Sequence, residues 1–147
     1  MKPLYLFANW KMYLDHDQSV ALAKSLVSEL SKYAKKATFA IFPSDLALAS
    51  VQSVMAKAKV AVGAQNVYWI EEGGYTGATS AEMYKKVGCE YALVGHSERR
   101  HIFKETNVEG RKKMEAILAD GMTPVLCVGE TTHERKECEA DVVIETQ

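Results

Sequence analysis

Residues 91–100 read YALVGHSERR. Tyr91-Ala92-Leu93-Val94 is a short continuous apolar run, the pattern of a strand buried on both faces. Gly95 breaks it, and five polar side chains, His96-Ser97-Glu98-Arg99-Arg100, stand where the strand ends. A strand that stops on a polar cluster places that cluster at its carboxyl end. In parallel α/β architectures this is the end at which ligands bind. The fold therefore turns on whether similar runs recur and how they are connected.

They recur five times. Pro3–Ala8, Ala37–Phe42, Lys59–Ala64, Glu90–Val94 and Thr123–Val128 read as strands. Between them lie helical patterns. Asp17 to Ala34 carries Val20, Ala23, Leu26, Val27, Leu30 and Ala34 on one face. Ser44 is placed to cap a helix bearing Leu46, Leu48, Val51, Val54 and Met55. A polar loop from Gln65 to Thr79 leads to a short helix over 80–87, and further helices are predicted over 107–119 and from about Thr131 to Gln147. Strands alternating with helices, without hairpin signals, predict right-handed βαβ units and a parallel sheet. Two architectures fit, a doubly wound open sheet and a (β/α)₈ barrel, and five units are present where a closed barrel needs eight.

Both architectures direct attention to the residues after each strand. Asn9-Trp10-Lys11 follows the first, and Lys11 fits either a cation aimed at an anionic ligand or a lysine reaching out from the rim. Gln65-Asn66 follows the third and Gly129-Glu130 the fifth, each also compatible with ordinary loop or cap polarity. His96 precedes a short helix predicted to start near Ser97. Backbone N–H groups at that start disfavour a protonated imidazole, so His96 is expected to be a neutral hydrogen-bond donor. Asn9, Lys11, His96 and Glu98 converge on one rim, a set suited to proton transfer on a small anionic carbonyl compound. No dinucleotide fingerprint, phosphate loop or metal-ligand spacing occurs, so the expected enzyme uses neither cofactor nor metal.

The totals limit the alternatives. The 147 residues suit one domain. With 18 Lys plus Arg against 19 Asp plus Glu, the net charge of −1 gives no electrostatic grip on nucleic acid or an anionic membrane. No apolar run is long enough to span a bilayer, and residues 1–13 are too interrupted for a secretion signal. Cys89, Cys127 and Cys138 are odd in number and irregularly spaced, which predicts reduced thiols and a cytoplasmic protein. Cys127, inside an apolar run, is expected in the core.

Five blocks in order carry a resemblance: NWKM at 9–12, GAQN at 63–66, GYTG at 74–77, VGHSERR at 94–100 and CVGE at 127–130. Together they closely resemble the N-terminal part of the triosephosphate isomerase family. The resemblance implies a (β/α)₈ barrel of which the first five βα units are present. It also implies a homodimer interconverting dihydroxyacetone phosphate and glyceraldehyde 3-phosphate. It assigns Lys11 to substrate binding and enediolate stabilisation, Asn9 to substrate binding, and Glu98 to ordering the site around the lysine. By the resemblance His96 is the neutral electrophile that shuttles protons between the two substrate oxygens, and its neutrality at a helix start is a known property of the family. The loop over 73–79 resembles the family's interdigitating dimer loop, with Tyr75 and Thr76 reaching the partner and with Gln65 and Arg99 at the same interface.

Two departures follow from the same resemblance. The family commonly carries a glutamate after GYTG that pairs with the partner's arginine at the position of Arg99. Ala78 stands there instead, so Arg99 is expected to lack that partner or to find another. The family's general-base glutamate lies in a later motif, absent from these 147 residues together with the phosphate-gripping loops. The expectation is a chain with negligible activity alone: either part of an ordinary isomerase or a half-barrel that works by assembly or complementation. A five-stranded wall is further expected to expose two strand edges.

Overall fold

The structure is a computed structural model and describes residues 4–147. Its five strands are β1 (Tyr5–Asn9), β2 (Thr38–Phe42), β3 (Ala61–Ala64), β4 (Tyr91–Val94) and β5 (Thr123–Leu126). They form one sheet in sequential order, with every neighbouring pair parallel. Sequential order separates the two candidate architectures, because a doubly wound sheet reverses its strand order at a switch point. The predicted strands are recovered with bounds shifted by one or two residues, β1 running on to Asn9 and the others trimmed, and Pro3 lies outside the described residues.

The sheet is curled. Neighbouring strands lie about 4.8 Å apart, so in a flat sheet β1 and β4 would stand about 14 Å apart. Yet the Phe7 ring of β1 lies 5.1 Å, centroid to centroid, from the Tyr91 ring of β4, with Phe42 of β2 also against Phe7 at 5.8 Å. The rings meet across the concave face, where Ala40, Phe42, Ala61 and Leu93 are buried. Gly63 makes room for this layer: a Cβ there would strike the Phe42 ring and come within 2.9 Å of the Tyr91 carbonyl oxygen. The arrangement is the first five βα units of a (β/α)₈ barrel.

Helices cover the convex face. α1 (His16–Tyr33) opens on a capping box in which Asp15 accepts from the Gln18 amide while Gln18 answers the Asp15 amide. It buries Ala23 and packs Leu26, Val27 and Leu30 toward the core. α2 (Asp45–Met55) buries Ala47, Leu48, Val51 and Met55, four positions spaced for one helical face. Ser44 occupies its N-cap as expected, but its hydroxyl makes no capping hydrogen bond. α3 (Ala81–Val87), α4 (Ser97–His101) and α5 (Asn107–Ala119) follow. The main core, between sheet and helices, joins Val51, Val62, Val94 and Ile117.

Three expectations fail. The single helix expected over 131–147 is two, α6 (Thr132–Lys136) and α7 (Ala140–Thr146), parted by Cys138 in the left-handed region at φ 59°. One such residue ends an α-helix because its carbonyl no longer points along the axis. The strands are not all covered on both faces: β2, β3 and β4 are, but Leu6 of β1 is 47% exposed and Leu126 of β5 is 38% exposed. Among the described residues each of these edge strands pairs on one side only. Cys127 is half-buried rather than a core residue for the same reason, since it follows an edge strand.

Candidate functional site at the carboxyl ends of β1 and β4

Asn9 closes β1, and Lys11 sits two residues on with φ 53°, a left-handed conformation that costs a lysine energy and persists only where neighbours impose it. Three contacts do so. The Asn9 Oδ1 accepts the Lys11 amide at 2.9 Å. The Lys11 carbonyl accepts from Gln65 Nε2 at 3.0 Å. The Lys11 ammonium donates to Glu98 Oε1 at 2.9 Å, across 87 residues of sequence.

Glu98 joins the two strand ends. One carboxylate oxygen holds Lys11, and the other lies 3.4 Å from His96 Nδ1. Donation from Lys11, opposed by desolvation and assisted by the charge of Lys11, holds the Glu98 carboxyl below its usual range. The reciprocal bond from Glu98 raises the Lys11 ammonium above its usual value. Both groups are solvent-accessible, so each is kept charged at neutral pH without being buried.

His96 is the N-cap of α4, and its Nδ1 accepts the Glu98 amide at 3.3 Å. A ring nitrogen that accepts a hydrogen bond carries a lone pair, so the ring proton resides on Nε2. That nitrogen is then a donor. The tight turn before it depends on Gly95, at φ 66°, where an added Cβ would come within 2.9 Å of Arg100 Cζ. Arg100 fixes that turn by donating to the Gly95 carbonyl at 2.7 Å and to the Cys127 carbonyl at 3.3 Å, so it ties the ends of β4 and β5 together. A cleft of about 350 Å³ opens beside His96, lined also by Ser97, Cys127, Val128 and Glu130.

Beneath this rim lies a buried polar network that sequence reading missed. Glu105, with a side chain only 3% exposed, accepts from Arg99 Nε at 2.7 Å, Lys113 Nζ at 2.6 Å and the Gly95 amide at 3.3 Å. Lys113 also donates to Asn66 Oδ1 at 2.8 Å. Burial pushes the Glu105 carboxyl up, but the two cations outweigh it and hold the carboxyl below its usual range. Arg99 has therefore found another partner in its own chain, and its guanidinium also lies over the Phe103 ring at 4.6 Å. A signal for Lys113 was available: Gly110, Lys113 and Ile117 recur at helical spacing on the buried face of α5, and a lysine in that stripe requires a counter-ion.

The remaining predicted residues lie apart. Tyr75 and Thr76 are exposed on the 65–79 loop, Tyr75 against the Tyr68 ring at 4.7 Å. Among the described residues no hydrogen bond joins either of them to Asn9, Lys11, His96 or Glu98. Thr76 and Ala78 share a polar cleft with Arg99, Glu105 and Lys113.

Comparison with known proteins agrees with this geometry. The family model described as triosephosphate isomerase matches residues 4–147. A relative named triosephosphate isomerase from Herpetosiphon aurantiacus is 38% identical over 143 residues, covering 97% of this chain and 56% of the relative. Relatives of that name from Magnetococcus marinus and Protochlamydia amoebophila are each 37% identical. The alignments cover 100% and 99% of this chain, and 58% and 54% of those proteins. The chain thus spans about half the length of the curated relatives it matches. With five parallel βα units in sequential order, Lys11 and His96 at the carboxyl ends of β1 and β4, and a family match over nearly its whole length, the chain belongs to the triosephosphate isomerase family.

Proposed function

We propose that this chain supplies the Lys11–His96 part of a triosephosphate isomerase site, which interconverts dihydroxyacetone phosphate and D-glyceraldehyde 3-phosphate in glycolysis and gluconeogenesis without a cofactor. The observation that carries the reading is Glu98, whose carboxylate holds the Lys11 ammonium while its backbone amide donates to His96 Nδ1. In this reading Asn9 and Lys11 bind the anionic phosphosugar. The ammonium stabilises negative charge as it develops on the enediolate oxygens. His96, with its proton on Nε2, donates to those oxygens in turn. Glu98 keeps both groups in position, its carboxylate accepting from Lys11 and its backbone amide donating to His96 Nδ1. The carbon-bound proton is removed by a glutamate that these 147 residues do not provide, so the chain alone turns over negligibly.

Homodimerisation through the 73–79 loop belongs to the same reading, with Tyr75, Thr76, Gln65 and Arg99 at the interface. So does a cytoplasmic site of action, which the three free cysteines favour. No helix of the described residues is long and apolar enough to cross a membrane.

A second reading, a half-barrel that acts as an assembly or complementation module, is favoured by the exposed apolar residues on β1 and β5. One experiment addresses both. The purified chain is assayed in a coupled isomerase assay alone, mixed with the C-terminal segment of a relative, and fused to it. Turnover only in the fused protein supports the first reading, and turnover on mixing supports the second. Near-enzymatic turnover by the chain alone overturns the missing-base argument, and no turnover in any form overturns the isomerase reading.

A further inference from the structure

We propose that Gln65 is a positioning residue for Lys11, holding the lysine backbone in its left-handed conformation and so aiming the ammonium. This rests on the reading of Lys11 as the anion-binding cation, and it assigns Gln65 work inside its own chain. The side-chain amide has two donor hydrogens. Both are used: Nε2 donates to the Lys11 carbonyl at 3.0 Å and to the Phe42 carbonyl at 2.8 Å. The reversed amide orientation would turn Oε1 toward two carbonyl oxygens, so the acceptors fix which atom is nitrogen. Only Oε1 remains free for any other partner.

The Phe42 carbonyl is itself the end of a strand and also accepts the Trp10 amide at 3.0 Å. Gln65 therefore ties the Lys11 loop to the last residue of β2, a strand paired on both sides whose Ala40, Ile41 and Phe42 are buried, from its own place just after β3. Among the described residues β1, which carries the lysine, pairs only with β2. The lysine's φ of 53° is imposed at one side by Asn9 on the amide and at the other by Gln65 on the carbonyl. With Gln65 removed, the peptide after Lys11 loses its anchor, the backbone relaxes toward ordinary φ, and the 2.9 Å contact with Glu98 is lost with it.

The test compares Gln65→Met, which preserves side-chain length without donors, with the wild-type chain. Brief acetylation at neutral pH is followed by mass spectrometry, with the rate at each lysine read separately. Lys11, released from Glu98, is expected to react about fivefold faster, the factor corresponding to one net hydrogen bond. Lys113, buried on Glu105, serves as the sentinel for general loosening and is expected not to change. Gln65→Glu sharpens the test, because a carboxylate facing two carbonyls repels them, while the protonated acid can donate again. Protection of Lys11, taken as its rate relative to the wild-type chain at the same pH, is expected to return in that variant as pH falls. Unchanged Lys11 reactivity in Gln65→Met, or a parallel rise at Lys113, overturns the proposal. A Lys11→Met substitution that leaves the fused protein's isomerase activity intact would instead sink the functional reading while leaving the coupling of Gln65 to Lys11 standing.

Discussion

Removing the Glu105 carboxylate tests the network beneath the site most directly. In Glu105→Ala, Lys113 stays buried with a side chain 5% exposed and keeps only Asn66 as a partner, while Arg99 and the Gly95 amide also lose their acceptor. Breaking a buried pair by deleting one member costs about 3–5 kcal/mol, chiefly because the other charge is left uncompensated. For a chain of this size that corresponds to a melting point lower by about 10 °C or more. Replacing both partners, as Glu105→Leu with Lys113→Met, removes the stranded ammonium and is expected to recover most of the loss. The pH dependence has a defined sign. Glu105 titrates below its usual range in the folded chain, so its contribution is complete above the ordinary carboxyl value and is lost as pH falls through the depressed one. Glu105→Gln is expected to flatten the stability profile in that acid window. Urea unfolding followed by circular dichroism, at neutral pH and across the acid range, measures all of this. A cost below about 1 kcal/mol for Glu105→Ala, or a double variant no more stable than the single one, would refute the reasoning.

Two further outcomes follow from the rim and the concave face. In Glu98→Gln the bond and charge that raise the Lys11 ammonium are weakened, so Lys11 is expected to titrate at lower pH than in the wild type, as read from its side-chain carbon shift by NMR; an unchanged midpoint would contradict the pairing. Gly63→Ala forces a Cβ against the Phe42 ring and the Tyr91 carbonyl, and is expected to cost about 1–3 kcal/mol in urea unfolding, the usual range for overpacking.

Much of this was legible in the residues. Val62, Val94 and their neighbours announce buried strands because strands covered on both faces need continuous apolar runs. Lys11 and His96 are legible because a charged or titratable group directly after such a run has few places to go except the rim. What was not legible depends on distant partners or single backbone angles. Cys138 carries no glycine-like signal, so its left-handed φ and the helix break it causes are invisible to periodicity. The pairing of Glu105 with Arg99 and Lys113 joins residues on both sides of α5's start, and only the folded backbone shows that all three charges meet below Gly95. The exposure of β1 and β5 follows from their place at the sheet edges and agrees with the expectation that a five-stranded wall exposes two edges, although apolar composition alone does not reveal it.

The two halves of the site stand on unequal supports. The His96 half rests on β4, a central strand whose Ala92, Leu93 and Val94 are buried, and Glu105 and Arg100 grip its turn from below. The Lys11 half rests on β1, an edge strand paired only to β2 among the described residues, with Tyr5, Leu6 and Phe7 still open to water. Free energy of local opening follows buried contacts, so β1 belongs to the less stable part of the sheet. The side-chain bonds at the rim act where strand packing is weakest. Asn9 and Gln65 fix the lysine backbone to neighbouring residues, and Glu98 fixes its ammonium to the better-held half. A left-handed lysine relaxes unless neighbouring groups impose its conformation. It is held because its carbonyl and ammonium are both bonded to parts of the chain that β1 does not control.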